Sequence, residues 1–310
     1  MSRNGEANLV PREQPTTYYG RPVVKPPVWK PEIPLYFFSG GLAGASAVLA
    51  AAATFAGRRR LARRAWAGAL AGVTTSPALL VKDLGRPSRF LNMLRVFKVT
   101  SPMNLGAWLL LANGGATTFA AALNARDGER RGGAPEIVAA ALGAPLATYT
   151  AVLISNSAIP AWSEARRHLP FVFAASSGAS AAGAALLSVE PSEAAPARAL
   201  GVSAVLAEEV ATMLMRRRLG ELASVYEEGE AGRYGKASRV LSIAGAALLG
   251  AGRPSAAPRR DLAAVGGALL LAGSICKRWS VFKAGFQSAE DPLQTVRPQR
   301  RQIAREGGGA

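Results

Sequence analysis

LYFFSGGLAGASAVLAAAATFAG, residues 35–57, runs directly into RRRLARRAW, residues 58–66. The first stretch carries no charged side chain, and as a helix rising about 1.5 Å per residue it is long enough to cross a hydrocarbon layer about 30 Å thick. The second sets Arg58, Arg59, Arg60, Arg63 and Arg64 where a helix leaving that layer meets lipid headgroups. Together they read as a membrane helix, a sharp turn and a returning helix.

Apolar runs of the same kind recur along the chain. Eight spans are expected, at about 34–56, 65–82, 104–123, 136–159, 170–190, 197–215, 237–251 and 262–276. The last two are short, so six spans and a hairpin of partly buried helices is the alternative. Gly, Ala and Ser dominate the runs. Lipid offers no hydrophobic drive between helices, so close backbone approach through small residues must carry the packing. The expected fold is an all-α integral membrane protein of about eight transmembrane helices in two four-helix bundles. A polar N-terminal segment, 1–33, would precede the helical domain, 34–276, and a basic tail, 277–310, would follow it. The proline-rich polar start does not resemble a signal peptide, so insertion is expected to be driven by the first span.

Composition removes several classes of function. Only 18% of the 310 residues are charged, low for a soluble protein, and the mean hydropathy of +0.15 averages apolar runs with arginine-rich loops. The net charge of +17 lies at the ends of the apolar runs instead of among surface aromatics, which argues against nucleic-acid binding. A single cysteine, Cys276, and a single histidine, His168, cannot supply an iron–sulfur cluster, a structural zinc or a bis-histidine haem. No haem and no metal are therefore expected in this chain. Cys276 reads as a small apolar residue and His168 as a loop histidine.

With eight spans both termini share one side, here face A, with the loops near residues 83–103, 160–169 and 216–236. Lysine and arginine are roughly twofold in excess on face A, which would make it cytoplasmic. The basic loop 57–64 on face B, and the prospect of an acidic partner on face A, leave the orientation open.

Polar side chains inside spans are costly and default to functional candidates. Tyr36, Phe37 and Gly40 open the first span, Tyr149 and Asn156 lie in the fourth, and Glu208 with Glu209 interrupts the sixth, all toward face A. An apolar cleft with a tyrosine or asparagine donor and an ionisable carboxylate is what a quinone site requires. Tyr36, Phe37, Gly40, Tyr149, Asn156 and Glu208 are therefore candidate quinone-binding residues, with Glu208 and Tyr149 in the catalytic roles. A solute-transport site could use similar residues, but no inverted repeat is visible. The loop 82–108 places Asp83, Arg86 and Arg89 around Gly85 and Pro87, with Ser101-Pro102 as a helix start. It reads as a cap across the bundle mouth and a partner interface, or else as a well-capped turn.

Three stretches resemble the NrfD/PsrC family of polysulfide reductase-type membrane anchors: PPVWKPEIPLYFFSGGLAGAS at 26–46, DLGRPSRFLNMLRVFKVTSPMNLGAW at 83–108 and PLATYTAVLISNSAIPAWSEAR at 145–166. The resemblance extends over most of the chain from about residue 26 to 290. It implies an eight-helix anchor in the inner (cytoplasmic) membrane that binds menaquinone or ubiquinone. The implied partners are a ferredoxin-like iron–sulfur subunit and a molybdopterin catalytic subunit, possibilities that include a formate dehydrogenase-like enzyme. Tyr36 and its neighbours, Tyr149 and Glu208 fall in the family's quinone-pocket regions. A passive membrane scaffold is the alternative, and a small-solute transporter a further one.

Overall fold

Gly44 on the first helix and Gly143 on the fourth bring two backbones together: a Cβ on Gly44 would lie 2.3 Å from the Gly143 carbonyl oxygen. No larger residue fits there, and contacts of this kind organise the whole bundle. A computed structural model describes residues 24–25, 27–84, 87–128, 130–251 and 260–291. Its helices are α1 Glu32–Phe55, α2 Arg59–Asp83, α3 Pro102–Arg126, α4 Ala134–Ser155, α5 Pro160–Ser163, α6 Leu169–Leu186, α7 Ala195–Leu219, α8 Gly229–Ala251 and α9 Arg260–Glu290. Short 3-10 turns cover 87–94 and 220–226.

Helices α1 to α4 form one ring of neighbours and α6 to α9 a second, joined mainly where α6 packs against α1 and α4. The expected pair of four-helix bundles is thus present, as an all-α integral membrane fold. Among the described residues, five helices, α1, α3, α4, α6 and α9, are long and apolar enough to cross a bilayer by composition. The other three long helices, α2, α7 and α8, have 25, 25 and 23 residues but carry arginines.

Local signals set the helix ends. Gly57 takes the left-handed φ of 67° that turns α1 into α2. Ser101 caps α3 by accepting from the Asn104 backbone N–H at 3.4 Å, with Pro102 in the first turn. The first turn of α2 is satisfied from far along the chain. Glu193, between α6 and α7, accepts from the backbone N–H groups of Arg60 and Leu61 at 3.0 and 3.1 Å.

The last two long helices depart from expectation. Helix α8 begins at Gly229 instead of 237, and α9 continues beyond residue 276 to Glu290, so residues 277–290 are helix and not tail. Apolar periodicity stops at the charges, but here the charges answer one another. Lys283 reaches Glu230 at 2.6 Å, Ser280 donates to the Ala231 carbonyl at 2.8 Å, and Gln287 accepts from the Ala231 N–H at 2.8 Å. The end of α9 also clasps α5. Trp162 donates its indole N–H to the Val281 carbonyl at 2.7 Å, and Ser288 accepts from the Ala161 N–H at 3.1 Å. Tyr226 donates to the Ala161 carbonyl at 2.8 Å from the 220–226 turn, and burial pushes its hydroxyl pKa upward.

Candidate functional site

At the face A end of the first ring, α1, α2, α3 and α4 stand apart around a cavity of about 400 Å³. Tyr36 and Phe37 enter it from α1, Val73, Thr74 and Pro77 from α2, Leu110, Leu111 and Gly114 from α3, and Tyr149 and Leu153 from α4. The walls are mostly apolar, and polar side chains are few: Asp83 lies at the face A end, while Thr74 and Thr118 lie deeper along α2 and α3.

Phe90, Met93 and Leu94 of the 87–94 turn roof the cavity. This roof is the cap foreseen in the loop 82–108. Asn104 holds it: its amide donates to the carbonyls of Met93 and Val96 at 2.7 and 2.8 Å, while its oxygen accepts from the Lys98 N–H at 2.7 Å. Trp108 adds a bond to the Val96 carbonyl at 3.2 Å. Neither residue stands out from the sequence, because a helix N-terminal asparagine reads as a cap for its own helix.

Tyr149 is the most telling side chain. Its hydroxyl is enclosed and has no hydrogen-bond partner of good geometry among the described residues. A buried hydroxyl without a partner is costly, and it stands ready for a ligand acceptor. Gly106 on α3 makes room for the ring, since a Cβ there would lie 2.0 Å from Tyr149 Cε1 and 2.5 Å from its oxygen. Tyr36 faces the same cavity from a buried position.

Asp83, expected at a partner interface, lines the cavity at the end of α2 and accepts from the Lys30 backbone N–H at 3.2 Å. The neighbouring Lys82 pairs with Glu32 at 3.0 Å, tying α2 to the start of α1. Arg86 lies outside the described residues. Arg89 falls in the 87–94 turn, and its side chain is also outside them.

Three of the expected site residues stand elsewhere. Gly40 lies one turn beyond Tyr36, where a Cβ would be 3.7 Å from the Tyr36 ring and 3.9 Å from Ser76 Oγ, and it is not among the cavity residues. Asn156 closes α4 by donating to the Val152 carbonyl at 2.8 Å and is exposed. Glu208, grouped with Tyr149 on the sequence, belongs to the second ring, where its carboxylate meets Lys277 of α9 at 3.0 Å. Arg278, beside Lys277, is fully buried, with its guanidinium 3.9 Å over the Phe173 ring. The carboxylate that meets Tyr149 across one cavity is therefore Asp83.

A family model described as polysulfide reductase, of the NrfD type, matches residues 15–290. The chain belongs to the NrfD polysulfide reductase family. This agrees with the two-bundle helical membrane fold and makes the chain a membrane subunit of polysulfide reductase-type complexes. No curated protein matches the chain significantly. In this NrfD-family chain the matched region includes every element of the face A cavity.

Proposed function

We propose that this chain is the quinone-binding membrane anchor of a multi-subunit oxidoreductase in the cell's inner membrane. In this reading it passes electrons between the quinone pool and an iron–sulfur subunit serving a molybdopterin enzyme. The observation that carries the reading is the enclosed hydroxyl of Tyr149, which has no well-aligned side-chain partner among the described residues and has only the Gly106 backbone near it, in an apolar cavity that also holds Tyr36 and Asp83.

The residues fit a quinone. A cavity of about 400 Å³ with mostly apolar walls is of the size that accepts a ring and the start of an isoprenoid tail. A bound menaquinone or ubiquinone supplies two-electron, two-proton redox chemistry. Tyr149 donates from its hydroxyl to a ring carbonyl oxygen, and Tyr36 shapes the same end of the cavity. Asp83 holds or releases the accompanying proton at its carboxylate. Val73, Leu110 and Leu111 exclude water, while the 87–94 roof separates the ring from the face A surface, where an iron–sulfur partner would dock.

Affinity purification of the intact complex through a tag on this chain, followed by mass spectrometry and quinone extraction, tests the reading. Co-purification of an iron–sulfur subunit and of quinone is expected. Tyr149→Phe should weaken quinone retention, and Asp83→Asn should depress quinone-linked turnover, with assembly intact in both. An intact complex that contains no quinone, and whose turnover neither variant changes, makes the chain a passive scaffold.

A further inference from the structure

A second cavity, of about 470 Å³, opens at the face B end of the same ring. Its rim is mainly basic, with Arg59, Arg60 and Arg63 from the first turns of α2 and Arg130 from the loop between α3 and α4, and it carries one carboxylate, Asp127, beside Arg130. Its floor is apolar and built from Ala67 and Leu70 of α2 with Ala121 and Ala125 of α3. Two of the rim cations are held in place by carboxylates, Arg60 by Glu190 and Arg130 by Glu136 at 2.6 Å. Arg63 is exposed and makes no ion pair among the described residues.

This arrangement is amphipathic along the bilayer normal. The rim lies where α1 ends at Phe55 and α3 ends at Arg126, the level of lipid headgroups, and the floor runs inward from it. The floor also leads toward the quinone cavity. Leu70 lines one cavity and Val73 the other, and so do Ala121 and Thr118, a step of about 4.5 Å along each helix. Helices α2 and α3 thus carry two cavities end to end, one in each leaflet.

We infer that the face B cavity is a binding site for an anionic phospholipid. Its phosphate sits against the Arg59, Arg60, Arg63 and Arg130 rim, and an acyl chain lies along Ala67, Leu70 and Ala121. Arginine forks match phosphate oxygens, and basic pockets between membrane helices select anionic headgroups. A free phosphate would use the rim and leave the apolar floor without an occupant.

The test uses the purified full-length chain in detergent, with lipid retention read by native mass spectrometry. Phosphatidylglycerol, phosphatidylcholine and inorganic phosphate are the probes. Wild type should retain phosphatidylglycerol over phosphatidylcholine, and Arg63→Gln should lower that retention about fivefold, the worth of one arginine facing an anionic headgroup. Arg64→Gln is the control, because Arg64 lies at the same level but does not line the cavity. Ala67→Phe fills the exposed side of the floor and should also lower retention, since it obstructs the chain and leaves the arginines in place. Equal losses in Arg63→Gln and Arg64→Gln would reduce the effect to general surface charge and overturn the site. Full displacement of the lipid by millimolar inorganic phosphate, or undiminished retention in Ala67→Phe, would show that no acyl chain lies on the floor and would equally overturn it.

Discussion

Lys277 and Glu208 form an ion pair inside the second helix ring, Nζ to Oε1 at 3.0 Å, with side-chain exposures of only 8% and 3%. Neither charge has easy recourse to water. Removing one member of such a pair strands the other, at a cost of about 3–5 kcal/mol, whereas an apolar pair of similar volume is often tolerated. Glu208→Gln is therefore expected to lower the thermal stability of the detergent-solubilised protein markedly, and Glu208→Gln with Lys277→Met should recover most of the loss. A double-mutant cycle on unfolding temperature measures the coupling. If both single variants are as stable as wild type, the pair is not formed in the membrane.

The Tyr149 ring and Gly106 must be treated as one unit. Tyr149→Phe removes a single donor and should weaken a quinone-analogue inhibitor by about threefold to tenfold, the worth of one hydrogen bond. Gly106→Ala leaves the hydroxyl in place but drives a methyl into the ring's position, so it should weaken the same inhibitor at least as much. Inhibitor titration of quinone-linked activity in the two variants decides this. An unchanged response to Gly106→Ala would mean that the ring does not rest where α3 makes room for it.

Asn104 makes three bonds to the segment 93–98, and Trp108 adds one more, to the Val96 carbonyl that Asn104 also binds. Asn104→Ala should free the roof while leaving the helices intact. Hydrogen exchange across residues 90–98 should accelerate, with little change in α1 or α4. Protection equal to wild type would assign the roof's order to Trp108 and the apolar contacts of Phe90 and Leu94.

Arg278 is fully buried, donates to the Phe173 carbonyl at 3.0 Å and to Ser177 Oγ at 2.8 Å, and stacks on the Phe173 ring. A lysine cannot reproduce the planar stack together with both bonds. Arg278→Lys is expected to be destabilising in thermal unfolding, and Phe173→Leu to lose about 2 kcal/mol from the desolvated cation–π contact and its packing. A neutral outcome for both would mean that neither the planar stack nor the guanidinium's paired bonds contribute measurably to stability.

Much of this architecture is legible in the chain itself, and what is hidden has a common cause. Helices α1, α3, α4 and α6 announce themselves as apolar runs, and Ser101-Pro102 marks the start of α3 correctly. Tyr36 and Tyr149 stand out because a phenol in an apolar span needs a reason. The extra turns of α8 and α9 are hidden because their charges find partners only in three dimensions, as Lys283 does at Glu230. The same applies to Glu208: periodicity places it toward face A but cannot tell which ring it serves, and Lys277 looked like the start of a tail. Asp83 was singled out for a different role, since a turn-forming sequence does not reveal that its carboxylate points back toward a cavity.

Glu193 accepts from the backbone N–H groups that open α2. These groups leave the ribosome more than a hundred residues before their acceptor, with α3, α4 and α6 made in between. Until residue 193 arrives, the start of α2 must be solvated by water or lipid headgroups at face B. The start of α2 therefore gains these two hydrogen bonds only after the first ring and α6 have been made. A chain that ends within α6 would leave the Arg60 and Leu61 N–H groups to water at the membrane surface, so this helix end is completed only by a segment made much later.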